Sequence, residues 1–362
     1  MSFELRKYRE PNFDQEPFLS APDAVLVEAP RDGVAPVGFH GMSIFPEYFK
    51  IKGQWLMAKE SRMDCVAVYD NGVMQIVEPR RLRKGNLVVV GRTEDGSKGI
   101  YLNTDGFREE ESKKELFAFR GVRSRETGFS RDYRELGELL QHERDHGKIV
   151  WVAGPALTFD KATRIAFAKM VEAGYVHALM AGNAMATHDL EAAWLGSTLG
   201  QDINTLEQRP LGHHNHLDTI NCVRNYGSIP AFLEGEKLTD GIIAACVRKE
   251  VPFVLCGSIR DDGPLPEVIP NVYEAQNVMR DQIRGATTVI CMATMLHSIA
   301  TGNMTPSFRV LPDGTVRQIY FYCVDVAEFA TNKLSDRGSL TARGIVTNVQ
   351  DFVQNVSKQL GL

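Results

Sequence analysis

A chain of 362 residues, 43% hydrophobic and 24% charged, can bury a large core, and at roughly 150 residues per domain its length suggests two domains. The formal charge of −5 gives no general attraction to nucleic acid or to an anionic membrane surface. The sequence has neither a run of about 18 apolar residues nor a charged-then-apolar leader, so the expected location is cytoplasmic, with no membrane partner.

Residues 1–24 are polar, contain Pro11, Pro17 and Pro22, and show no sustained period. They are expected to form an extended arm that could wrap a neighbouring subunit of a homo-oligomer. Residues 25–125 contain short β-prone runs at Val25-Leu-Val, Phe49-Lys-Ile, Cys65-Val-Ala-Val-Tyr, Val73-Met-Gln-Ile-Val and Leu87-Val-Val-Val, punctuated by Gly53, Gly72, Gly85 and Gly96. This pattern predicts a small β-rich domain. Asn71-Gly72 predicts a type I′ hairpin turn, because both residues tolerate positive φ. The basic run Arg80-Arg81-Leu82-Arg83-Lys84 reads as a solvated turn flank, and the charged stretch from Phe107 to Gly128 as the domain boundary.

In residues 126–362 helices and strands alternate. Tyr133, Leu136, Leu139 and Leu140 mark a helix, Ile149 to Pro155 a buried strand stopped by Gly-Pro, and Ala162 to Glu172 the next helix. An apolar strand from Val176 ends at Gly182-Asn183 and runs directly into a helix with Leu190, Ala193, Trp194 and Leu195 at helical spacing. After a His-rich loop come helices at 217–226 and after Thr239 as N-cap, then a strand at 252–258 and a loop at 259–267 stiffened by two prolines. Val272, Ala275, Met279 and Ile283 give a helix face, Thr288 to Met292 a strand, and Met295, Leu296 and Ile299 another helix. The last strand is expected at Ile319 to Val324, followed by helices at 326–334 and about 345–360. Such repetition with near-continuous apolar strands predicts an α/β fold, a Rossmann-like parallel sheet covered on both faces.

No G-x-G-x-x-G occurs, so a dinucleotide site has to be built from converging strand ends: Gly154-Pro155, Gly182-Asn183, Gly257-Ser258, Ala293-Thr294 and Asp325. Helix N-termini at such an edge suit a pyrophosphate or a substrate carboxylate. Asp325 is the candidate ribose partner. Asp261-Asp262 could hold ribose hydroxyls or a substrate amine, with turn stabilisation as the alternative. The six cysteines form no C-x-x-C pair and read as buried, reduced thiols. His213-His214-Asn215-His216 lacks residues that would complete a ligand set, so no metal is expected.

The segments Met63-Asp-Cys65, Val152-Ala-Gly-Pro155, Ala181-Gly-Asn183 with Thr187-His-Asp-Leu-Glu191, Gly212-His-His-Asn-His-Leu217, Ser258-Ile-Arg-Asp-Asp-Gly-Pro-Leu-Pro266, Ala293-Thr-Met-Leu-His-Ser298 and Asp336-Arg-Gly338 stand in fixed order. Together they resemble the archaeal and cyanobacterial ornithine cyclodeaminase family, which is related to the lysine-oxoglutarate reductase/saccharopine dehydrogenase bifunctional region. The resemblance runs from about Val27 to the end. It implies a β domain followed by a deoxyhypusine-synthase-like NAD-binding domain, tightly held NAD, and conversion of ornithine to proline and ammonia. Longer relatives carry a further N-terminal region that this sequence does not include. The segment Gly41 to Phe49 departs from the family's Thr-Thr-Asn-x-Pro type of run, which leaves lysine or a shorter diamino acid as alternatives to ornithine.

That chemistry needs a hydride acceptor, a general base and partners for a zwitterionic amino acid. His188 could be the base, and Asp189, near the positive end of a helix, an amine-binding anion. Asp64 and Cys65 could close the site from the β domain, the alternative for Cys65 being a buried strand cysteine. Arg224 and Arg260 could grip the carboxylate, with surface ion pairing the alternative, and His214 and Asn215 could line the substrate site. The competing functions are an NAD-dependent amino- or imino-acid dehydrogenase with net NADH formation, and a catalytically silent NAD-binding regulatory subunit.

Overall fold

The structure, a computed structural model, describes residues 4–107, 130–335 and 340–362. The charged stretch expected at the domain boundary and the motif Asp336 to Gly338 lie outside them. The first half is antiparallel: β1 (Val25–Glu28), β2 (Glu47–Ile51), β3 (Gln54–Met57), β4 (Val66–Asp70), β5 (Val73–Val77), β6 (Leu87–Val90) and β7 (Ile100–Leu102). They form a four-stranded sheet, β1-β6-β4-β5, and a three-stranded one, β3-β2-β7. Phe49, Cys65, Met74, Val89 and Ile100 fill the core of this region. The turn between β4 and β5 has φ of 47° at Asn71 and 89° at Gly72, the positive pair that a type I′ hairpin requires.

The leading residues do not extend away as an arm. Phe13 stacks on Trp55, Phe18 meets Trp55 and Tyr101 edge-on, and Tyr8 hydrogen-bonds Tyr48 at 2.8 Å, so their own chain takes up this aromatic surface. Three prolines and the polar composition masked these anchors in the sequence.

In the second half α1 (Ser130–His146) leads into β8 (Ile149–Ala153), α2 (Lys161–Glu172), β9 (Ala178–Gly182) and α3 (Asn183–Leu195). A small hairpin, β10 (Ser197–Thr198) and β11 (Gln201–Asp202), precedes α4 (Asn215–Tyr226), α5 (Ile229–Gly235), α6 (Ile242–Arg248), β12 (Phe253–Cys256) and β13 (Val268–Ile269). The remainder is α7 (Val272–Ile283), β14 (Thr288–Met292), α8 (Met295–Met304), the hairpin β15 (Phe308–Val310) and β16 (Val316–Gln318), then β17 (Tyr320–Asp325), α9 (Glu328–Ser335), β18 (Ala342–Val346) and α10 (Val349–Gln359). Seven strands form a parallel sheet in the order β13-β12-β9-β8-β14-β17-β18. This is the Rossmann-like fold.

Two expectations are corrected. The strand at β17 is not the last, because β18 pairs beside it and shortens the closing helix to Val349–Gln359. Thr239 does not cap α6. Gly241 holds the N-cap position at φ 109°, and the carboxylate of Asp189, from another helix, accepts the Ile243 N–H at 2.8 Å.

One core lies between the sheet and the side of α1, α2, α3, α6 and α10, the other between the sheet and α7 with α8. Each large apolar side chain taken fully inside, such as Trp151 or Phe167, contributes about 1.5–3 kcal/mol. The hairpin β15–β16 reaches back to the β domain: Phe308 packs on Phe107, and the Val310 N–H donates to the Lys59 carbonyl at 3.0 Å. Beside it, Glu78 gathers Arg62 at 3.1 Å, Arg81 at 2.8 Å and Arg280 from α7.

Although burial pushes the Glu78 carboxyl up, the surrounding guanidiniums Arg280 and Arg62 win and hold it below the ordinary 4.5. A depressed folded-state value stabilises above the unfolded value and is lost as pH falls through the folded one. Glu78→Gln should therefore cost about 3 kcal/mol or more at pH 7, since it leaves buried guanidiniums unpaired. The gap to the parent in urea unfolding should narrow below about pH 4.5; a gap independent of pH would contradict this account.

Candidate active site

The sheet's chain order reverses between β8 and β14. The chain steps outward from β8 through β9, β12 and β13, then returns to β14 on the other side of β8 and steps outward again. Ligands of open parallel sheets bind in the crevice beyond the carboxyl ends of strands at such a switch point. Gly154 ends β8 so close to β14 that a Cβ there would overlap the Ala293 carbonyl oxygen. Ala293 holds φ of 47°, uncommon for a residue with a side chain. At the end of β9, a Cβ on Gly182 would sit 2.9 Å from Cε1 of His297 in α8. The end of β8 thus meets the end of β14 backbone to backbone, and the end of β9 lies against the His297 ring.

The helix starts here differ from others along the same edge. Asp160, Asn271 and Asn348 cap α2, α7 and α10 through their side chains. No side chain caps α3 or α8, whose starts follow the strands on either side of β8. Their first-turn N–H groups and positive dipole ends suit an anion. Gly154 and Pro155 open a short 3-10 turn that also lacks a side-chain cap. Such a donor set fits the pyrophosphate of a dinucleotide, without any glycine fingerprint.

Asn183 receives the Leu265 N–H on Oδ1 at 3.0 Å, tying the loop after β12 over the start of α3. In that loop Asp261 accepts the Ser258 N–H at 2.7 Å, while Asp262 and Arg260 are exposed. Gly257 approaches the Ile269 carbonyl, which would lie 2.8 Å from an added Cβ. Arg224 donates to the Pro264 carbonyl at 3.2 Å and so braces the loop. At the end of β17, Asp325 accepts the Ala327 N–H at 2.9 Å. His297, in contact with Thr294 Oγ1 at 3.3 Å, was missed as a site residue although its motif was visible. Burial lowers its pKa, against the pull of Asp261, and favours the neutral imidazole.

A buried polar chain starts on the next turns of α3. Nδ1 of His188 lies 2.9 Å from Glu191, the other Glu191 oxygen accepts from Ser197 Oγ at 2.8 Å, and Asn215 donates to that Ser197 oxygen at 2.6 Å. With Glu191 accepting from Nδ1, the neutral His188 ring would keep its lone pair on Nε2. The rings of Phe159 and His216 stand about 6 Å from the His188 ring, at 6.0 and 6.1 Å. Ser197 was not singled out in the sequence, and Glu191 stood there only as the end of the Thr187–Glu191 motif with no role assigned, yet it is wholly buried. His213 and His214 are exposed, and no group of three or more His, Cys, Asp or Glu side chains placed to hold a metal occurs among the described residues.

Three expected catalytic groups lie elsewhere. Asp189 is fully buried, with Arg164 Nε at 2.9 Å on one oxygen and the Ile243 N–H on the other, so its carboxylate joins helices and has no free face for an amine. Cys65 belongs to the β-domain core, where burial pushes its thiol up to about 11, and Arg62 and Arg280 are its neighbouring cations. Arg280 lies eight residues into α7, or about 12 Å along the helix from the carboxyl edge. Asp64, exposed at φ 63°, precedes Cys65 in the β domain.

A family profile described as arginine dihydrolase ArgZ-like, C-terminal, Rossmann fold matches residues 134–356. An ornithine cyclodeaminase of Methanopyrus kandleri is 40% identical over 99% of this chain and 82% of its own length. The chain belongs to the ornithine cyclodeaminase family. It is accordingly an enzyme of the ammonia-lyase type that this family represents. A bifunctional arginine dihydrolase/ornithine cyclodeaminase of Nostoc, AgrE, is 35% identical over 93% of the chain, which matches 47% of that longer protein. Among solved structures, a conserved LOR/SDH protein of Methanococcus maripaludis superposes with a TM-score of 0.83 at 34% identity, covering 94% of this chain and 98% of the other. The ternary complex of AgrE with ornithine and NAD+ matches at a TM-score of 0.57 and 32% identity, over 94% of this chain and 46% of AgrE. No helix among the described residues is long and apolar enough to cross a membrane.

Proposed function

We propose that this protein converts ornithine to proline and ammonia, using NAD that is regenerated in each turnover. The observation that carries the cofactor reading is the pair of helix N-termini, α3 and α8, left without side-chain caps on either side of β8 at the switch point. The AgrE complex with ornithine and NAD+ supports the same ligand pair in a relative. NAD, when bound, supplies the acceptor and return donor for a hydride at the substrate α-carbon.

The residues divide the remaining work. First-turn N–H groups of α3 and α8, beside Gly154, Gly182, Ala293 and Thr294, hold the pyrophosphate, and Asp325 and Asp262 serve the ribose hydroxyls. Nε2 of His188, oriented by Glu191, takes the proton from the substrate amino group, and Asn215 helps to position that relay through Ser197. His297, kept neutral by burial, accepts a hydrogen bond at the crevice without adding positive charge. The loop from Ser258 to Glu267, tied down at Asn183, excludes water from the imine stage. Ornithine is preferred because its δ-amine is already tethered to the carbon that it attacks.

The test combines a trace of NAD with ornithine deuterated at the α-carbon. Ammonia and proline are expected in equal amounts over many turnovers per NAD, with no net NADH and with deuterium retained at the proline α-carbon in ordinary water. Accumulating NADH would establish a dehydrogenase, complete loss of label would rule out protected hydride return, and no product would support a silent binding subunit.

A further inference from the structure

At the opposite, amino-terminal edge of the parallel sheet, the two halves of the chain enclose a second cleft of about 190 Å³. Glu60, Glu78 and Arg81 line it from the β domain, and Arg280, Arg284 and Arg309 from the other side. Its place follows from the chain path, since Arg284 and Gly285 come just before β14 and Ile319 just before β17. It is therefore separate from the crevice at the strands' carboxyl ends.

Charge in this cleft is not balanced. Four guanidiniums face two carboxylates, and Glu78 is already engaged by Arg62, Arg81 and Arg280. Arg284 is exposed and pairs with Asp281 at 3.0 Å, on the helix surface. Arg309 is half-buried, and its guanidinium makes no ion pair or hydrogen bond among the described residues. Its Nη1 instead lies near Gly285, where the aliphatic stem of Lys148 also packs, so a further cation stands close by. Burial lowers the pKa of both Arg309 and Lys148; at Arg309 the Glu60 carboxylate, opposite it across an antiparallel bridge, pulls the other way without forming an ion pair while Arg317 adds repulsion, and at Lys148 Arg309 adds repulsion. With Glu60 nearby but not bonded to it, the half-buried Arg309 guanidinium keeps donors that an anion in the cleft would complete.

We propose that this cleft binds a small multivalent oxyanion, a phosphate or a dicarboxylate, held by Arg309, Arg284 and Arg81 across the domain boundary. Guanidinium forks match the planar or tetrahedral oxygens of such anions. The volume is well below the roughly 300–1,000 Å³ of drug-sized ligand sites, which favours a small anion over a nucleotide. Because both domains contribute, bound anion stabilises their docking by mass action.

Titration calorimetry and thermal melting of the full chain, with inorganic phosphate and with succinate at an ionic strength fixed by chloride, test this. At least one anion should bind saturably and raise the Tm to a plateau, and competition between the two shows which chemistry the cleft prefers. Arg309→Gln and Arg284→Gln should each weaken binding about tenfold or more, as expected for loss of a charge-assisted hydrogen bond. NAD binding should persist in both variants. A Tm that climbs without saturation and equally in the variants is general salt exclusion and overturns the proposal. Absence of binding heat with both anions overturns it too. If Arg309→Gln fails to fold, Arg284→Gln, on an exposed side chain, decides alone.

Discussion

Gly154→Ala is expected to abolish measurable NAD binding at concentrations that saturate the parent protein, and to lower turnover about hundredfold or more, the scale of a 1 Å misplacement. The added methyl group would overlap the Ala293 carbonyl, a backbone atom that cannot rotate away. Ala293 is itself held by its N–H bond to Val324 at 3.0 Å, and the Gly154 N–H donates to Met292 at 2.8 Å. Relief therefore requires the ends of β8 and β14 to separate, at a cost of about 1–3 kcal/mol for overpacking. That movement opens the place where the anion-binding helix starts converge. Gly41→Ala is the control, because a Cβ there meets nothing within 4 Å and its φ is not in the positive region; it should stay within about 0.5 kcal/mol of the parent. Fluorescence titration with NAD and a thermal melt read both effects. Unchanged affinity in folded Gly154→Ala protein would move the cofactor away from the switch point.

Asp189→Asn is expected to lower stability by about 3–5 kcal/mol, the usual cost of stranding one partner of a buried ion pair. Arg164 is 2% exposed and would keep only Asp240, whose side chain is 61% exposed, as its carboxylate. The substitution also weakens the acceptor that caps α6 through Ile243. Because α2, α3 and α6 meet at this pair, the loss should appear in urea midpoint and in Tm before it appears in kinetics. A variant with parental stability and a collapsed kcat would instead return Asp189 to the catalytic machinery.

The contrast between these residues shows what the sequence could convey. Apolar runs at Ile149, Val176, Pro252 and Thr288 announced a parallel sheet, because strands buried on both faces have no polar period to hide them. Gly154, Gly182 and Ala293 were legible as strand ends for the same reason. The strand at 342–346 was missed because it lies at the sheet edge, where Arg343, Gly344 and Val346 are exposed and break any apolar run. Asp189 looked like a site carboxylate from its place in α3, since its partner Arg164 is 25 residues away and only the fold brings them together. Glu191 was hidden likewise: its burial depends on Ser197, beyond the end of α3, and on the half-buried Asn215. His297 stood in plain view, but nothing local marks a histidine whose importance is its contact with the end of a different strand.

The strand at the centre of the sheet also sets when the crevice can exist during synthesis. Ile149 of β8 pairs with Thr288 of β14, and the adjoining bond from Lys148 to Thr287 spans 139 residues. At about 5–20 residues per second, a ribosome needs roughly seven to twenty-eight seconds to supply the second wall after the first. Until then β8 has one open edge, and the amide donors that face the anion are only half assembled. Pairing at such separation also carries a large loop-closure entropy, which slows folding relative to local contacts. Dinucleotide added during refolding should therefore act late, by trapping an almost complete chain, and leave the earliest collapse unchanged.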